Sequence, residues 1–211
     1  MSYESERKRL LEGKLYCPFK ILDDTWNDVH KAQKEFNESE FWHDNTAFEK
    51  LKKCFGSAPD DLVLIAPVYF NHGDKVFFGK HFFANAGLTI LDENEVRFGN
   101  DVMLGPNCNI LAASHPTDAV IRREALVYAL PITIGNDVWI GGNVTINQGV
   151  TIGDEVIIGS GSVVTKDIPS HTIAAGNPCK VIRELTDEDK KYWEDQLKEY
   201  QDYCKEEEES K

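Results

Sequence analysis

The residue in this sequence best suited to proton transfer is His115, which lies in the segment Ala113-Ser114-His115-Pro116. An imidazole titrates close to neutral pH, so it can take a proton from a hydroxyl and later release it. Farther along the chain, Gly141 and Gly142 offer backbone N–H groups that no side chain covers, and such donors stabilise an oxyanion. A lone histidine is often structural and a glycine pair often marks a turn, so residue type alone leaves both interpretations open.

A set of basic residues supplies a third chemical group. Lys166, Lys180 and Arg183 carry positive charges that suit the phosphates of coenzyme A, although ordinary surface charges have the same composition. A base, an oxyanion donor and a phosphate site are together what acyl transfer from a thioester to a hydroxyl requires. The sequence meets all three requirements if its fold brings these residues together.

The strongest pattern in the sequence is an aliphatic residue at every sixth position of the central region, and a second, mostly aliphatic set follows four residues after each. A helix repeats every 3.6 residues and a strand every two, so neither gives this period. A solenoid coil with three six-residue sides does, because its aliphatics point inward and stack on their equivalents one coil later. We predict a parallel β-helix with Ile134 stacked on Ile152 and Ile140 on Ile158, and with glycines where the backbone turns a tight corner that a Cβ would obstruct. The first set is Ile134, Ile140, Ile146, Ile152, Ile158 and Val164.

The same phase continues upstream and is interrupted once by a long gap. Phe98, Leu104 and Ile110 belong to it, but the segment from about 111 to 133 has lost the pattern although Ile134 resumes in phase. We interpret this segment as a loop that leaves the coil and returns. Long loops inside compact domains are usually functional or disordered, and this one contains His115 and no low-complexity sequence. The pattern therefore favours a functional loop.

The predicted architecture is mainly β and has three regions. Residues 1–60 form a helical region, residues 61–183 the β-helix with its inserted loop at about 111–133, and residues 184–211 a helix with an acidic tail. Thr186-Asp187-Glu188-Asp189 is a capping box that predicts where the last helix begins. An apolar stripe at helical spacing then predicts that this helix packs against the body or a neighbouring subunit. The stripe is Trp193, Leu197, Tyr200 and Cys204.

Composition excludes several classes of function. The net charge of -13 argues against nucleic acid and anionic membrane surfaces as partners, because binding phosphate-rich surfaces requires a basic face. The five cysteines are widely spaced and form no C-x-x-C pair, which favours reduced thiols over a disulfide framework or a zinc site. The sequence shows no apolar stretch typical of a signal peptide or a membrane span. We therefore expect a cytoplasmic protein that needs no metal.

Several motifs together resemble the maltose and galactoside O-acetyltransferases. The resemblance is carried by the six-residue repeats, by Glu12-Gly13-Lys14-Leu15-Tyr16 near the amino terminus, and by three longer segments, and it extends over nearly the whole chain. These segments are Ile132 to Gly142, Gly159 to Pro169, and Gly176-Asn177-Pro178-Cys179-Lys180-Val181-Ile182-Arg183. The combination is far more specific than six-residue repeats alone.

The resemblance implies a left-handed β-helix and a homotrimer with active sites in the clefts between subunits. It also implies site residues: His115 matches the general base, Asn85 a residue that contacts the acceptor sugar, and the backbone N–H of Gly142 the oxyanion donor. The positions implied to hold acetyl-CoA, Gly142 among them, include a tryptophan that in the family lies near the base and that packing alone would equally explain. This tryptophan is Trp139, and the other positions are Ser160, Thr165, Lys166, Lys180 and Arg183.

The acceptor end departs from the galactoside enzymes. Cys17 stands where they carry aspartate, Asn71 where they have serine, and Glu93, beside Asp92, where they have a second aspartate. We expect all four residues near the acceptor, but the resemblance does not identify the sugar.

We therefore predict an acetyl-CoA-dependent O-acetyltransferase for a small sugar such as maltose, glucose or a galactoside. Three alternatives stay open: a non-sugar acceptor such as an antibiotic or an amino acid, a zinc enzyme of the γ-carbonic anhydrase type, and a silent β-helix scaffold. The zinc enzyme would need three converging histidines, whereas the inserted loop contains only His115. Metal analysis, acetyl-CoA calorimetry and a panel of acceptors would separate these alternatives.

Overall fold

The computed structural model, which describes residues 2–21, 24–40, 43 and 45–209, is a parallel β-helix with helices at both ends. The mainly β fold predicted from the six-residue period is therefore confirmed. The helices are α1 (Tyr3–Leu11), α2 (Asp24–Asn37), α3 (Thr46–Lys52), α4 (Ala119–Arg123) and α5 (Asp187–Glu209), with a 3₁₀ turn at Pro18–Lys20.

Each coil has three sides, and the strands of successive coils stack into three sheets that form the faces of the solenoid. The seven-stranded face contains β1 (Val63–Leu64), β4 (Phe83–Ala84), β7 (Met103–Leu104), β12 (Trp139–Ile140), β15 (Ile157–Ile158), β17 (Thr172–Ala175) and β18 (Lys180–Glu184). The five-stranded face contains β2 (Val68–Phe70), β5 (Leu88–Leu91), β8 (Asn109–Leu111), β13 (Thr145–Asn147) and β16 (Val163–Val164). The four-stranded face contains β3 (Val76–Phe77), β6 (Val96–Phe98), β11 (Ile132–Ile134) and β14 (Thr151–Ile152). The chain visits these faces in the order seven, five, four.

The interior of the solenoid consists of the aliphatics that define the six-residue period. Ile134 pairs with Ile152 and Ile140 with Ile158 in parallel register, as predicted. All six residues of the first set are buried, and so are Val138, Val144, Val150 and Val156 of the second. Burying a side chain of this size contributes roughly 1.5–3 kcal/mol, so the stacked interior is the main source of stability.

The glycines that follow the aliphatics stand where a Cβ would be obstructed, as predicted. A Cβ added to Gly135 would lie 2.7 Å from the backbone of Gly153, because consecutive coils approach there. The left-handed corner conformation instead occurs three residues after each aliphatic, for example at Asn143 with φ 57° and at Glu155 with φ 52°. Most of these corners are occupied by residues other than glycine.

Helix α2 closes the open end of the five-stranded face, where strand β2 is the edge strand. The Asn37 side chain donates to the Val68 carbonyl at 2.8 Å and accepts from the Val68 N–H at 2.8 Å. The Gln33 side chain accepts from the Phe70 N–H at 2.7 Å. These side chains replace a preceding coil, because an unpaired strand edge would otherwise be exposed.

Helix α5 begins at the predicted capping box, in which the Asp189 N–H donates to Thr186 Oγ1 at 3.3 Å and Asp189 accepts from the Thr186 N–H at 3.0 Å. Its apolar stripe does not pack against the body of this chain: Trp193 is 67% exposed and Tyr200 is 66% exposed. The reason is that only the first turns of α5 lie over the seven-stranded face. Packing against a neighbouring subunit stays a prediction. None of the helices in the described ranges is long and apolar enough to cross a membrane.

Candidate active site

The inserted loop leaves the coil at the corner between the five-stranded and four-stranded faces, after β8, and returns at β11. Its first and last parts pair as an antiparallel ribbon of β9 (Ala113–Ser114) and β10 (Tyr128–Ala129). His115 follows β9 directly and is exposed. The Arg122 guanidinium of α4 donates to the Pro116 carbonyl at 2.8 Å, so the segment after His115 is held by the loop itself.

A carboxylate centre lies at the same corner, one coil before the inserted loop. Glu93 accepts a hydrogen bond from the Tyr16 hydroxyl at 2.6 Å and one from the Asn71 side-chain amide, and His72 Nε2 lies 3.3 Å away. Burial raises the pKa of Glu93, but contact with His72 and the Tyr16 hydroxyl outweighs burial and leaves the pKa below its ordinary value. Burial, with the Glu93 charge beside it, raises the pKa of Tyr16. The fold therefore brings the Asn71 amide and the Glu93 carboxylate together.

Asp92 does not belong to the exposed part of this centre. It is fully buried, and its two oxygens accept from the backbone N–H groups of Asn71 (2.8 Å), His72 (3.0 Å) and Gly73 (2.6 Å). A carboxylate whose oxygens are filled by three buried donors has no surface left for an acceptor. The expectation that Asp92 contacts the acceptor is therefore corrected: it fixes the backbone of residues 71–73.

The other two acceptor candidates lie apart from each other. The Cys17 N–H donates to buried Glu6 at 2.9 Å, next to Tyr16 in the chain, so Cys17 is close to the carboxylate centre. Asn85 follows β4 and is exposed at the corner between the seven-stranded and five-stranded faces, where its side chain accepts from the Ala86 N–H at 2.8 Å. One chain therefore does not bring Asn85 to the corner that holds Glu93.

The seven-to-five corner also holds the predicted oxyanion donor. The Gly142 N–H donates to Ser160 Oγ of the next coil at 3.1 Å, so this N–H has a partner in the chain. Both groups are close to the surface, and a stronger acceptor can replace a neutral hydroxyl. Trp139, just before this corner, is 54% exposed.

The three predicted cations differ in their surroundings. Lys166 follows β16 and Lys180 begins β18, and both are exposed. Arg183 instead forms a bidentate pair with Asp189, at 2.6 and 2.8 Å. The hydrogen bonds from Arg183 hold the pKa of Asp189 below its ordinary value. The prediction that Arg183 helps to hold coenzyme A stays a prediction, and in this chain a carboxylate at the start of α5 pairs with its guanidinium.

Two cavities adjoin these corners, and the sequence pattern indicated neither. One of about 750 Å³ lies between the seven-stranded face and α5, lined by Trp139, Ile157 and Trp193 among others. The other, of about 630 Å³, lies between α2 and the five-stranded face and includes Asn71 and Tyr69.

The roles of Tyr16 and His72 were also missed, because their partner Glu93 is more than 20 residues away in sequence and no local pattern links them. Across the described ranges, no three His, Cys, Asp or Glu side chains converge to hold a metal ion.

The groups therefore divide between two corners of the coil. The five-to-four corner carries the His115 loop, Asn71, Glu93 and, at the far end of the stack, Thr165 and Lys166. The seven-to-five corner carries Asn85, Gly142 and Ser160. A full side of the coil separates the two corners along the chain.

Comparison with known proteins gives consistent matches. Residues 131–166 match the family model described as bacterial transferase hexapeptide (six repeats). The galactoside O-acetyltransferase of Escherichia coli K12 is 43% identical over 174 residues, which cover 82% of this chain and 81% of that protein.

Solved structures of acetyltransferases are also similar to this chain. The maltose O-acetyltransferase of Clostridium difficile 630 has a TM-score of 0.83 and 38% identity, over 88% of this chain and 98% of that chain. A hexapeptide-repeat acetyltransferase of Vibrio cholerae O1 biovar eltor, solved with acetyl-CoA, has a TM-score of 0.76 and 29% identity, over 88% of this chain and all of that one (100%). The similarity therefore extends well beyond the repeats themselves.

Proposed function

The chain belongs to the hexapeptide-repeat acetyltransferases related to the galactoside and maltose O-acetyltransferases, and from this premise we propose that His115 acts as general base at a site shared by two copies of the chain. The enzyme is an acetyl-CoA-dependent O-acetyltransferase whose relatives act on sugars. The proposed acceptor is a small sugar such as maltose, glucose or a galactoside.

In the proposed reaction His115 removes the proton from a sugar hydroxyl, and the oxygen attacks the thioester carbonyl of acetyl-CoA. The oxyanion of the tetrahedral intermediate replaces Ser160 Oγ as the acceptor of the Gly142 N–H, because a full negative charge is the stronger acceptor. The intermediate collapses with cleavage of the C–S bond, and protonated His115 gives its proton to the departing thiolate. The products are the acetylated sugar and coenzyme A.

The division of groups between two corners carries the proposal of a shared site. His115 extends on a ribbon from the five-to-four corner, whereas Gly142 and Ser160 lie at the seven-to-five corner. If the His115 loop of one copy faces the Gly142 corner of the next, base and oxyanion donor meet without any rearrangement of either chain. A heterologous contact of this kind forms a ring when its rotation closes, and the ring we propose is the homotrimer that the family resemblance implies.

The acceptor would lie at the carboxylate centre, where Asn71, Glu93 and the neighbouring Cys17 are close to the His115 loop. A carboxylate and an amide are good partners for sugar hydroxyls, because together they accept and donate hydrogen bonds. Asn85 would come from the other copy, since it shares the corner of Gly142.

The donor would be held along the Gly142 corner. Ser160 lies one coil beyond Gly142, and Trp139 presents an exposed indole beside it. Lys180, together with Thr165 and Lys166 of the copy that supplies the His115 loop, would contact the phosphates and pantetheine, with the two lysines providing positive charge in an acidic protein. Arg183 would contribute only when its pair with Asp189 opens.

Mixing two inactive variants tests the shared site. One variant is His115→Ala, and the other is Ser160→Asp with Lys180→Glu, which places negative charge where the donor binds. Refolded mixtures should regain measurable thiol release from acetyl-CoA, because some sites combine an intact His115 with an intact donor corner. Each variant refolded alone is the control. Mixtures that exchange subunits and stay inactive would contradict the shared site.

A further inference from the structure

The segment before α2 forms its own small apolar cluster with the inserted loop, apart from the interior of the coil. We call residues 2–21 the leader. Its buried Leu10, Tyr16 and Ile21 pack with Val127 and Ala129 at the end of the loop. The leader also lies close to the end of the loop, because a Cβ added to Gly13 would lie 2.8 Å from Leu130 Cδ2. Leader and loop are therefore one packed unit resting on the coil.

Asn94 ties this unit together with a single side chain. It is 2% exposed, and its Nδ2 donates to the Leu10 carbonyl of the leader at 3.1 Å and to the Ala129 carbonyl of the loop at 3.0 Å. Its Oδ1 accepts from the Glu95 N–H at 2.7 Å. One buried amide thus fixes the leader and the loop to the coil at the same point.

Tyr16 makes a second connection. Its backbone N–H donates to the Val127 carbonyl at 2.9 Å, and the Val127 N–H donates to the Tyr16 carbonyl at 3.1 Å. Its ring is 1% exposed, and its hydroxyl donates to Glu93 at 2.6 Å. Tyr16 therefore sets the distance between the loop and the carboxylate centre.

We propose that the leader positions His115, with Asn94 and Tyr16 as positioning residues that contact neither substrate. The path is short: Val127 and Ala129 belong to or adjoin β10, and β10 pairs with β9, which ends one residue before His115. A displacement of β10 therefore displaces the base. Because a misplacement of 1 Å can cost roughly 10²-fold in rate, the hold on β10 matters for turnover. The inference rests on the proposed role of His115.

Asn94→Ala tests the proposal, with Asn37→Ala as a matched control. Both amides make hydrogen bonds to backbone groups, but those of Asn37 join α2 to Val68 of the coil and not to the inserted loop. We expect Asn94→Ala to lower kcat by at least roughly ten-fold with an unchanged calorimetric affinity for acetyl-CoA. Asn37→Ala should keep its kcat. An equal fall of kcat in both variants would overturn the proposal.

A double-mutant cycle separates positioning from a general loss of structure. If Asn94 acts through His115, Asn94→Ala should have almost no further effect on kcat in the His115→Ala background. The same fold-reduction in both backgrounds would overturn the inference. If Asn94→Ala does not fold, Val127→Ala replaces it, because the backbone pairing with Tyr16 stays and only part of the packing between leader and loop is lost; it should also lower kcat and leave the affinity for acetyl-CoA unchanged.

Hydrogen exchange distinguishes failure of this inference from failure of the proposed function. Faster exchange of residues 113–130 in Asn94→Ala, compared with Asn37→Ala, shows that the leader holds the loop even if His115→Ala keeps full turnover. That result would contradict the proposed role of His115 as general base and would support the proposed hold of the leader on the loop. Unchanged exchange in residues 113–130 would contradict the hold itself.

Discussion

The coil and the leader-and-loop unit are stabilised in different ways. In the coil each contact is repeated: Ile140 stacks on Ile158 as Ile134 stacks on Ile152, and every equivalent position is buried. In the leader-and-loop unit each contact occurs once, and one amide, Asn94, holds three segments. The repeated contacts provide stability, and the unrepeated ones place the residues proposed for chemistry. Substitutions should therefore affect folding in the first region and turnover in the second.

The largest expected effect is loss of the fold when the stacked interior receives a charge. Ile140→Asp buries a carboxylate without a partner, which costs several kcal/mol and is comparable with the whole stability of a domain. Thr133→Asp is the control, because Thr133 points outward on β11 beside Arg97 of the next strand. We expect circular dichroism to show an unfolded or insoluble Ile140→Asp and a native Thr133→Asp. A folded, soluble Ile140→Asp would contradict the stacked interior.

The next effect belongs to the loop and should leave the fold intact. His115→Ala removes the proposed base, and general-base catalysis is typically worth ~10²–10⁴-fold in rate. We expect kcat to fall by at least about a hundred-fold, with native circular dichroism and unchanged acetyl-CoA binding. His81→Asn is the control: His81 is exposed at a coil corner with φ 55°, a conformation that asparagine tolerates. If His115→Ala kept more than about a tenth of the turnover, the proposed base would be excluded.

The coil could be predicted from sequence because its constraint is local and periodic. A six-residue period places every aliphatic inside and fixes the register of Ile134 against Ile152 without further information. The pattern also predicts that Gly135 stands where a Cβ would be obstructed, but only the coil spacing shows that the missing Cβ makes room for Gly153.

The candidate site could be predicted only as residue types. Asp92 and Glu93 are neighbours in sequence, yet Asp92 accepts hydrogen bonds from three backbone N–H groups, whereas Glu93 accepts them from the side chains of Tyr16 and Asn71. That difference depends on the backbone path at the corner, and the six-residue period does not determine this path. The pairing of Arg183 was not predicted for a related reason, because its partner Asp189 becomes adjacent only when α5 begins at its capping box.

A smaller effect distinguishes two glycines of the coil. Gly135→Asn forces a side chain into the backbone of Gly153, only 2.7 Å from its Cβ, and such overpacking costs ~1–3 kcal/mol. Gly161→Asn meets nothing within 4 Å, and its corner conformation at φ 75° resembles that of Asn143 at φ 57°. We expect Tm to fall by about 2–4 °C per kcal/mol for Gly135→Asn and to change little for Gly161→Asn. Equal losses would show that corner conformation, and not coil spacing, limits these positions.

The smallest effect on the whole protein should come from the anchor of α5. Hydrogen bonds from Arg183, and then from Thr186, hold the pKa of Asp189 below its ordinary value. Their contribution is therefore fully present above the ordinary range of a carboxyl group and is lost as the pH falls through the lowered pKa. Because the pair is exposed, about 1 M salt should weaken it too.

Asp189→Asn should reproduce at neutral pH the loosening that acid causes in the native chain. We expect faster hydrogen exchange in residues 187–209, while the Tm of the coil stays unchanged because the apolar stripe of α5 does not pack against it. Lys191→Ala is the control, since the pair of Lys191 with Asp195 at 2.8 Å lies on the same helix away from the anchor. A fall in Tm as large as that of Gly135→Asn would mean that α5 is part of the same folding unit as the coil. The stable region would then extend beyond the repeated contacts, and the stripe around Trp193 would have to be covered in the assembled protein.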